Sequence, residues 1–324
     1  LSLIKFNIKM KLNFFIGIIN LIKSKLNLFL IIFLLLAGTS CSQKKESISI
    51  NNKPKVLTTF TILADLAKNV AGERLVINSI TKPGAEIHSY QFTPSDLVKA
   101  KDADLIIENG LGLELWINKF VSSASNVPRV VLSDGIKPLL IEGDEYSGKP
   151  NPHAWMSPKR TIKYIDNLVK AFVKIDPEGE SEYILNGEKY KQKLKELDND
   201  LKAHIEEIPQ GKRYLVTCEG AFSYLAKDYG LREAYLWPVN SESQVTPRRM
   251  AKLIKQVKSN KVPTIFCEST VSSKAQKEVA KASGSSFGGS FYVDSLSSKD
   301  GPASTLLELQ RYNARLIKNG LTID

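Results

Sequence analysis

Histidine, methionine, tryptophan and cysteine each occur only three times in this chain of 324 residues. Three histidines are too few for a histidine-rich tract, and no His-Glu-x-x-His run is present, so the helix-borne zinc-protease signature is missing. Three cysteines cannot staple a small disulfide scaffold. No basic stripe interleaved with aromatics accompanies the 45 Lys and Arg against 34 Asp and Glu, which argues against nucleic-acid binding. Past residue 53 there is no low-complexity segment and no internal repeat. What remains is a chain long enough for one sizeable domain or two modest lobes.

The first 40 residues lack acidic side chains but carry lysines at 5, 9, 11, 23 and 25, then an apolar run from Leu28 to Ala37 ending in Gly38-Thr39-Ser40. This is the pattern of an export signal. The run is shorter than the roughly 20 residues of a spanning helix, so we expect a cleaved signal peptide over 1–40; the earlier Phe14 to Ile22 stretch leaves an uncleaved anchor as the alternative. The sequence opens on Leu1, and Met10 is an alternative start. Without these residues the basic count falls from 45 to 40 and the formal charge from +11 to +6, so much of the basicity belongs to the signal.

Export places the cysteines in an oxidising compartment. Cys218 and Cys267 each end a short apolar strand and are read as a disulfide pair, with two buried thiols as the alternative. Cys41, the odd one left, sits where a lipoprotein's acylated cysteine belongs and is expected to be lipidated, although Gly38 stands where a lipobox normally has leucine. A polar tether over 41–53 follows.

Beyond it, short apolar strands alternate with amphipathic helices, which predicts an α/β fold with mainly parallel sheets. Expected strands are Val56 to Phe60, Leu75 to Thr81, Leu105 to Glu108, Val130 to Leu132, Tyr214 to Cys218, Thr264 to Cys267 and Phe291 to Val293. Expected helices include Pro94 to Ala100 with Thr93 as its cap, Leu113 to Ser122, Ser157-Pro158 to Ile175, Phe222 to Tyr229, and Thr305 to Asn319 stopped by Gly320. From Glu178 to Ile208 the chain is dense in Lys, Glu and Asp and free of proline, which predicts a helix of roughly 45 Å acting as a spine. The expected organisation is a first lobe over 54–177, a linking helix over 178–209 and a second lobe over 210–324.

His88 and His153 fall in loops after first-lobe strands, and Glu219 and Asp294 directly follow second-lobe strands. Each alone reads as an ordinary loop residue, but ligands of open α/β sheets bind outside the carboxyl ends of strands, where all four would meet. Two imidazoles with two carboxylates suit a divalent ion such as manganese or ferrous iron, with zinc also able to bind. Glu268, after Cys267, is the rival carboxylate, whereas His204 lies among lysine and glutamate on the polar helix and reads as solvated. Trp116, Trp155 and Trp237 read as core or cleft packing, and Trp155 stands close enough to His153 to shield it from water.

Four segments in order, EIHSYQFTPSD at 86–96, NPHAWMSP at 151–158, TCEGAFSY at 217–224 and YVDSLS at 292–297, resemble the solute-binding proteins of manganese and zinc ABC importers. The resemblance runs from Lys55 to Leu321. It implies two α/β lobes joined by one rigid helix, with metal ligands at His88, His153, Glu219 and Asp294. Glutamate at the third position is the manganese pattern where zinc-binding relatives commonly carry histidine, and the nearest likeness is to members with a second-lobe cysteine pair. Also implied are no enzymatic step, a monomer, a membrane permease as partner, a place outside the cytoplasmic membrane, and kinship with proteins classed as adhesins. Zinc import is the alternative within the class. A secreted metal-dependent hydrolase and a surface adhesin with a structural metal are the alternatives outside it; four protein ligands would leave the hydrolase little room for a reactive water.

Overall fold

A computed structural model describes residues 53–122, 126–142, 146–239 and 245–323. The expected signal peptide, Cys41 and the tether to residue 52 lie outside them. Among the described residues no helix is long and apolar enough to cross a membrane.

The first lobe is built on strands β1 (Lys55–Thr58), β2 (Val76–Ser79), β3 (Leu105–Glu108) and β4 (Arg129–Val131), all parallel in the order β2-β1-β3-β4. β3 is buried throughout and β1 after its first residue, as expected for central parallel strands covered on both faces. Helix α1 (Thr61–Ala71) follows β1 and α2 (Pro94–Lys101) precedes β3. At the start of α2, Thr93 and Asp96 form a reciprocal capping box. The helix expected over Leu113 to Ser122 shrinks to α3 (Ile117–Val121). Glu114 explains this: its carboxylate accepts from Thr59 Oγ1 and the backbone N–H groups of Asn109 and Gly110, which holds the preceding turn as a loop.

Helix α4 (Pro158–Ile175) begins at Ser157-Pro158, but the Ser157 hydroxyl does not cap it. It donates instead to Asp228 at 2.6 Å. After a 3-10 turn at Pro177–Gly179 comes α5 (Glu180–Glu206), 27 residues or about 40 Å. Its stripe of Tyr183, Gly187, Tyr190, Leu194, Leu197, Leu201 and Ile205 is buried, so the polar spine has one apolar face.

The second lobe holds two parallel strand pairs, β5 (Tyr214–Glu219) with β6 (Arg232–Trp237) and β7 (Thr264–Glu268) with β8 (Ser286–Phe291). Around them lie α6 (Ser223–Tyr229), α7 (Pro247–Ser259), α8 (Lys274–Ser283) and the closing α9 (Leu306–Leu321). α5 packs on α1 and α4 of the first lobe and on α9 of the second. One hydrophobic core accordingly runs from Phe60 and Trp155 to Phe222 and Phe291, across both lobes.

Three sequence readings change here. β6 is not among the expected strands, because its sequence opens on Arg232 and Glu233. β8 starts five residues earlier than expected and contains Gly288-Gly289, which resembles a loop. A Cβ at Gly288 would come within 2.4 Å of Phe266 and Thr264, so the strand needs glycine to approach its neighbour. Gly320 does not stop α9 but lies inside it, where a Cβ would come within 2.5 Å of Phe266.

Cys218 of β5 and Cys267 of β7 form the expected disulfide, with Cα atoms 4.8 Å apart. Closing a loop of 49 residues, it stabilises the fold by about 4 kcal/mol on the chain-entropy model. The double variant Cys218→Ser with Cys267→Ser is expected to lose about that much in urea unfolding; a loss below about 1 kcal/mol would contradict the estimate.

Candidate metal centre

The loop between β2 and α2 carries His88, held from three directions. Glu86 accepts from the backbone N–H groups of His88 and Ser89, at 2.5 and 2.8 Å, and Trp116 Nε1 donates to Ile87 O at 3.0 Å. Gly84 N donates to Ser295 Oγ at 2.7 Å, fastening the loop to the second lobe beside Asp294. His153 precedes a single 3-10 turn, Ala154–Met156, that feeds α4. Glu219 is the last residue of β5, and Asp294 stands three residues beyond β8.

These four side chains converge. His88 Nε2 is 3.6 Å from Glu219 Oε1 and 3.7 Å from Asp294 Oδ1, and His153 Nε2 is 3.5 Å from the same Asp294 oxygen. One donor atom from each lies within 4.8 Å of the others. All four are buried, His88 the most accessible at 8%. Among the described residues, both His88 ring nitrogens, His153 Nε2 and Asp294 Oδ1 are buried without a hydrogen-bond partner. Buried polar atoms are seldom left so, and a cluster of them facing one point fits a bound cation. With both imidazoles neutral the carboxylates carry two negative charges, matching a divalent ion.

Electrostatics couple the four groups. Burial alone would lower the His88 pKa, but the Glu219 and Asp294 carboxylates outweigh it and push it up to about 9. Burial would likewise raise Asp294, yet His88 and His153 hold it well below the usual carboxylate range. Glu268 stands outside the cluster. Its Oε2 accepts the Glu219 backbone N–H at 3.2 Å, and burial, then repulsion from Glu219, raise its pKa well above that of a normal carboxyl. His204 keeps to the outer side of α5 with Nδ1 2.7 Å from Asp200 O.

Trp155 packs its ring 5.1 Å from the His153 ring and donates Nε1–H to Val293 O at 3.0 Å, one residue before Asp294. It therefore positions candidate ligands from both lobes. Being fully buried, Trp155→Ala is expected to cost about 4 kcal/mol in thermal or urea unfolding, with weaker metal binding. A loss below about 1 kcal/mol would show that the site relaxes around the gap. Asn151, Trp116 and Glu86 were not singled out by sequence reasoning as supports; only proximity to a ligand in the motifs marked Asn151 and Glu86, and Trp116 lies 28 residues from His88 with no local signal.

Residues 56–320 match the family described as the zinc-uptake complex component A, periplasmic. The chain belongs to this family. The iron-binding protein YfeA of Yersinia pestis is 48% identical over 291 residues, covering 90% of this chain and 94% of YfeA. The manganese ABC transporter substrate-binding lipoprotein PsaA of Streptococcus pneumoniae is 35% identical over 301 residues, 91% of this chain and 97% of its own. The manganese-bound periplasmic metal-binding protein of Candidatus Liberibacter asiaticus superposes with a TM-score of 0.76 at 39% identity, over 83% of this chain and all of that one. Zinc-uptake component A proteins are substrate-binding parts of ABC importers and not enzymes, so the hydrolase alternative falls. The expected pair of α/β lobes joined by a long helix is the architecture of the family.

Proposed function

We propose that this chain captures one divalent ion, manganese, through His88, His153, Glu219 and Asp294, and hands it to the permease of an ABC importer. The observation that carries this reading is the four-sided cluster of buried, partly unpartnered imidazole and carboxylate atoms at the junction of the lobes. Manganese is favoured over zinc because half of the donors are carboxylate oxygens and none is a thiolate, Cys218 and Cys267 being joined to each other. The zinc description of the family and the iron-binding relative make those two ions the competing cargoes.

The remaining parts follow the same reading. Residues 54–177 and 210–324 are the two ligand-bearing lobes and 178–209 the connector. The export signal directs the chain out of the cytoplasm, and the tether and a lipidated Cys41 hold it at the outer face of the cytoplasmic membrane, where it acts as a monomer; the lipoprotein relative supports the anchor. The cargo ion undergoes no chemical conversion in the cycle: ligands shed protons, take the ion, and release it at the permease. Because α5 packs on both lobes and the core is continuous, closure around the ion is small.

Competition titrations with buffered free manganese, zinc and ferrous iron at cellular ratios test the cargo. Manganese occupancy in that mixture is expected. Zinc retained under the same ratios would move the assignment to zinc import, and ferrous iron retained would move it to iron.

A further inference from the structure

Asn151 is buried two residues before His153, and every hydrogen-bonding group it has is engaged. Its Oδ1 lies 3.0 Å from the His153 backbone N–H and 2.9 Å from His153 Nδ1. Its Nδ2 donates to Gly220 O at 2.7 Å and to Ser223 Oγ at 3.2 Å. Backbone groups settle which end of this amide is oxygen: a backbone N–H only donates and a backbone carbonyl only accepts. The atom facing His153 is therefore oxygen. Gly220 cannot drift from its partner, since a Cβ there would lie 2.6 Å from Pro238 O, and its N–H donates to that same carbonyl.

An oxygen that only accepts requires a proton on His153 Nδ1, and a neutral imidazole carries one proton. The lone pair is then on Nε2, the atom 3.5 Å from Asp294 Oδ1. Without Asn151 the Asp294 carboxylate would draw the proton onto Nε2 and block the metal-facing atom. His88 has no such support on either ring nitrogen among the described residues.

We propose that Asn151 is a positioning residue that locks His153 as the Nδ1–H tautomer and ties it, through Gly220, to the strand end that presents Glu219. The lobe bearing Glu219 thereby fixes the donor atom of a ligand on the other lobe. This rests on the metal-site reading above, since a tautomer lock matters only if Nε2 binds an ion.

The test uses the chain from Ser42 onward, metal-free and labelled with nitrogen-15 histidine. With only His88, His153 and His204 present, long-range proton–nitrogen correlation spectra resolve each ring. His153 is expected to show a protonated Nδ1 and bare Nε2. In Asn151→Leu the proton moves to Nε2, and manganese affinity falls by about 10- to 100-fold, the usual cost of losing a ligand's outer partner. Asn151→Asp, which still accepts from Nδ1, keeps the tautomer and binds manganese more tightly than the leucine variant. A wild-type His153 protonated on Nε2 overturns the proposal without any variant, so a misfolded leucine variant does not shelter it. So does a leucine variant unchanged in tautomer and affinity, or an aspartate variant as weak as the leucine one. If instead wild type and variants all fail to bind metal while the tautomers behave as expected, the metal reading fails and the lock stands as a structural fact.

Discussion

Asp294→Ala is expected to bind manganese about a thousandfold more weakly than the parent chain. Its Oδ1 is the oxygen that approaches both imidazole nitrogens, at 3.7 Å from His88 Nε2 and 3.5 Å from His153 Nε2. Removing one partner from a buried charged cluster costs about 3–5 kcal/mol, because the remaining charges cannot recover solvent. At 1.4 kcal/mol per tenfold, the middle of that range gives the stated factor. Asp300→Ala serves as the control, since Asp300 is exposed. Chelator competition at fixed pH reads both, and a loss below tenfold at Asp294 would place the ion elsewhere.

Manganese affinity is also expected to rise about tenfold per pH unit between pH 6 and 8 and to level off above about 9, following the fraction of His88 that has lost its proton. Burial works against the imidazolium, but two adjacent carboxylates stabilise it more, so metal-free His88 is charged at neutral pH. The ion must displace that proton. An unperturbed histidine would place the change near its ordinary pKa of about 6.5; the carboxylates move it upward. The linked effect on metal-free stability follows from a folded pKa above the unfolded value of 6.5. Stabilisation from the imidazolium is complete below 6.5 and is lost as pH rises through about 9. Calorimetry in buffers of different ionisation heat is expected to detect about one proton released per manganese at pH 7.5. No release and a flat affinity from pH 6 to 8 would contradict the charge arrangement.

Residues whose placement is set by chain position were legible in the sequence. His88, His153, Glu219 and Asp294 follow apolar strands, and parallel sheets gather such residues at one edge. The Cys218–Cys267 bond was legible for the same reason. What could not be read were roles set by contact. Gly288 and Gly320 look like breakers, yet both make room for Phe266. Ser157 looks like a helix cap, yet its hydroxyl, with the bidentate Arg160 guanidinium, binds Asp228 of the other lobe. Trp116 reads as a packing residue, yet its indole N–H fixes the peptide preceding His88. Each of these depends on a partner distant in sequence, which periodicity and capping rules do not reach.

The most direct test of the central claim is metal stoichiometry by elemental analysis after equilibrium dialysis against buffered manganese, on the chain from Ser42 and on Glu219→Ala beside it. One manganese per parent chain and none in the variant is the predicted result. Equal manganese in both, or none in the parent chain, would contradict it.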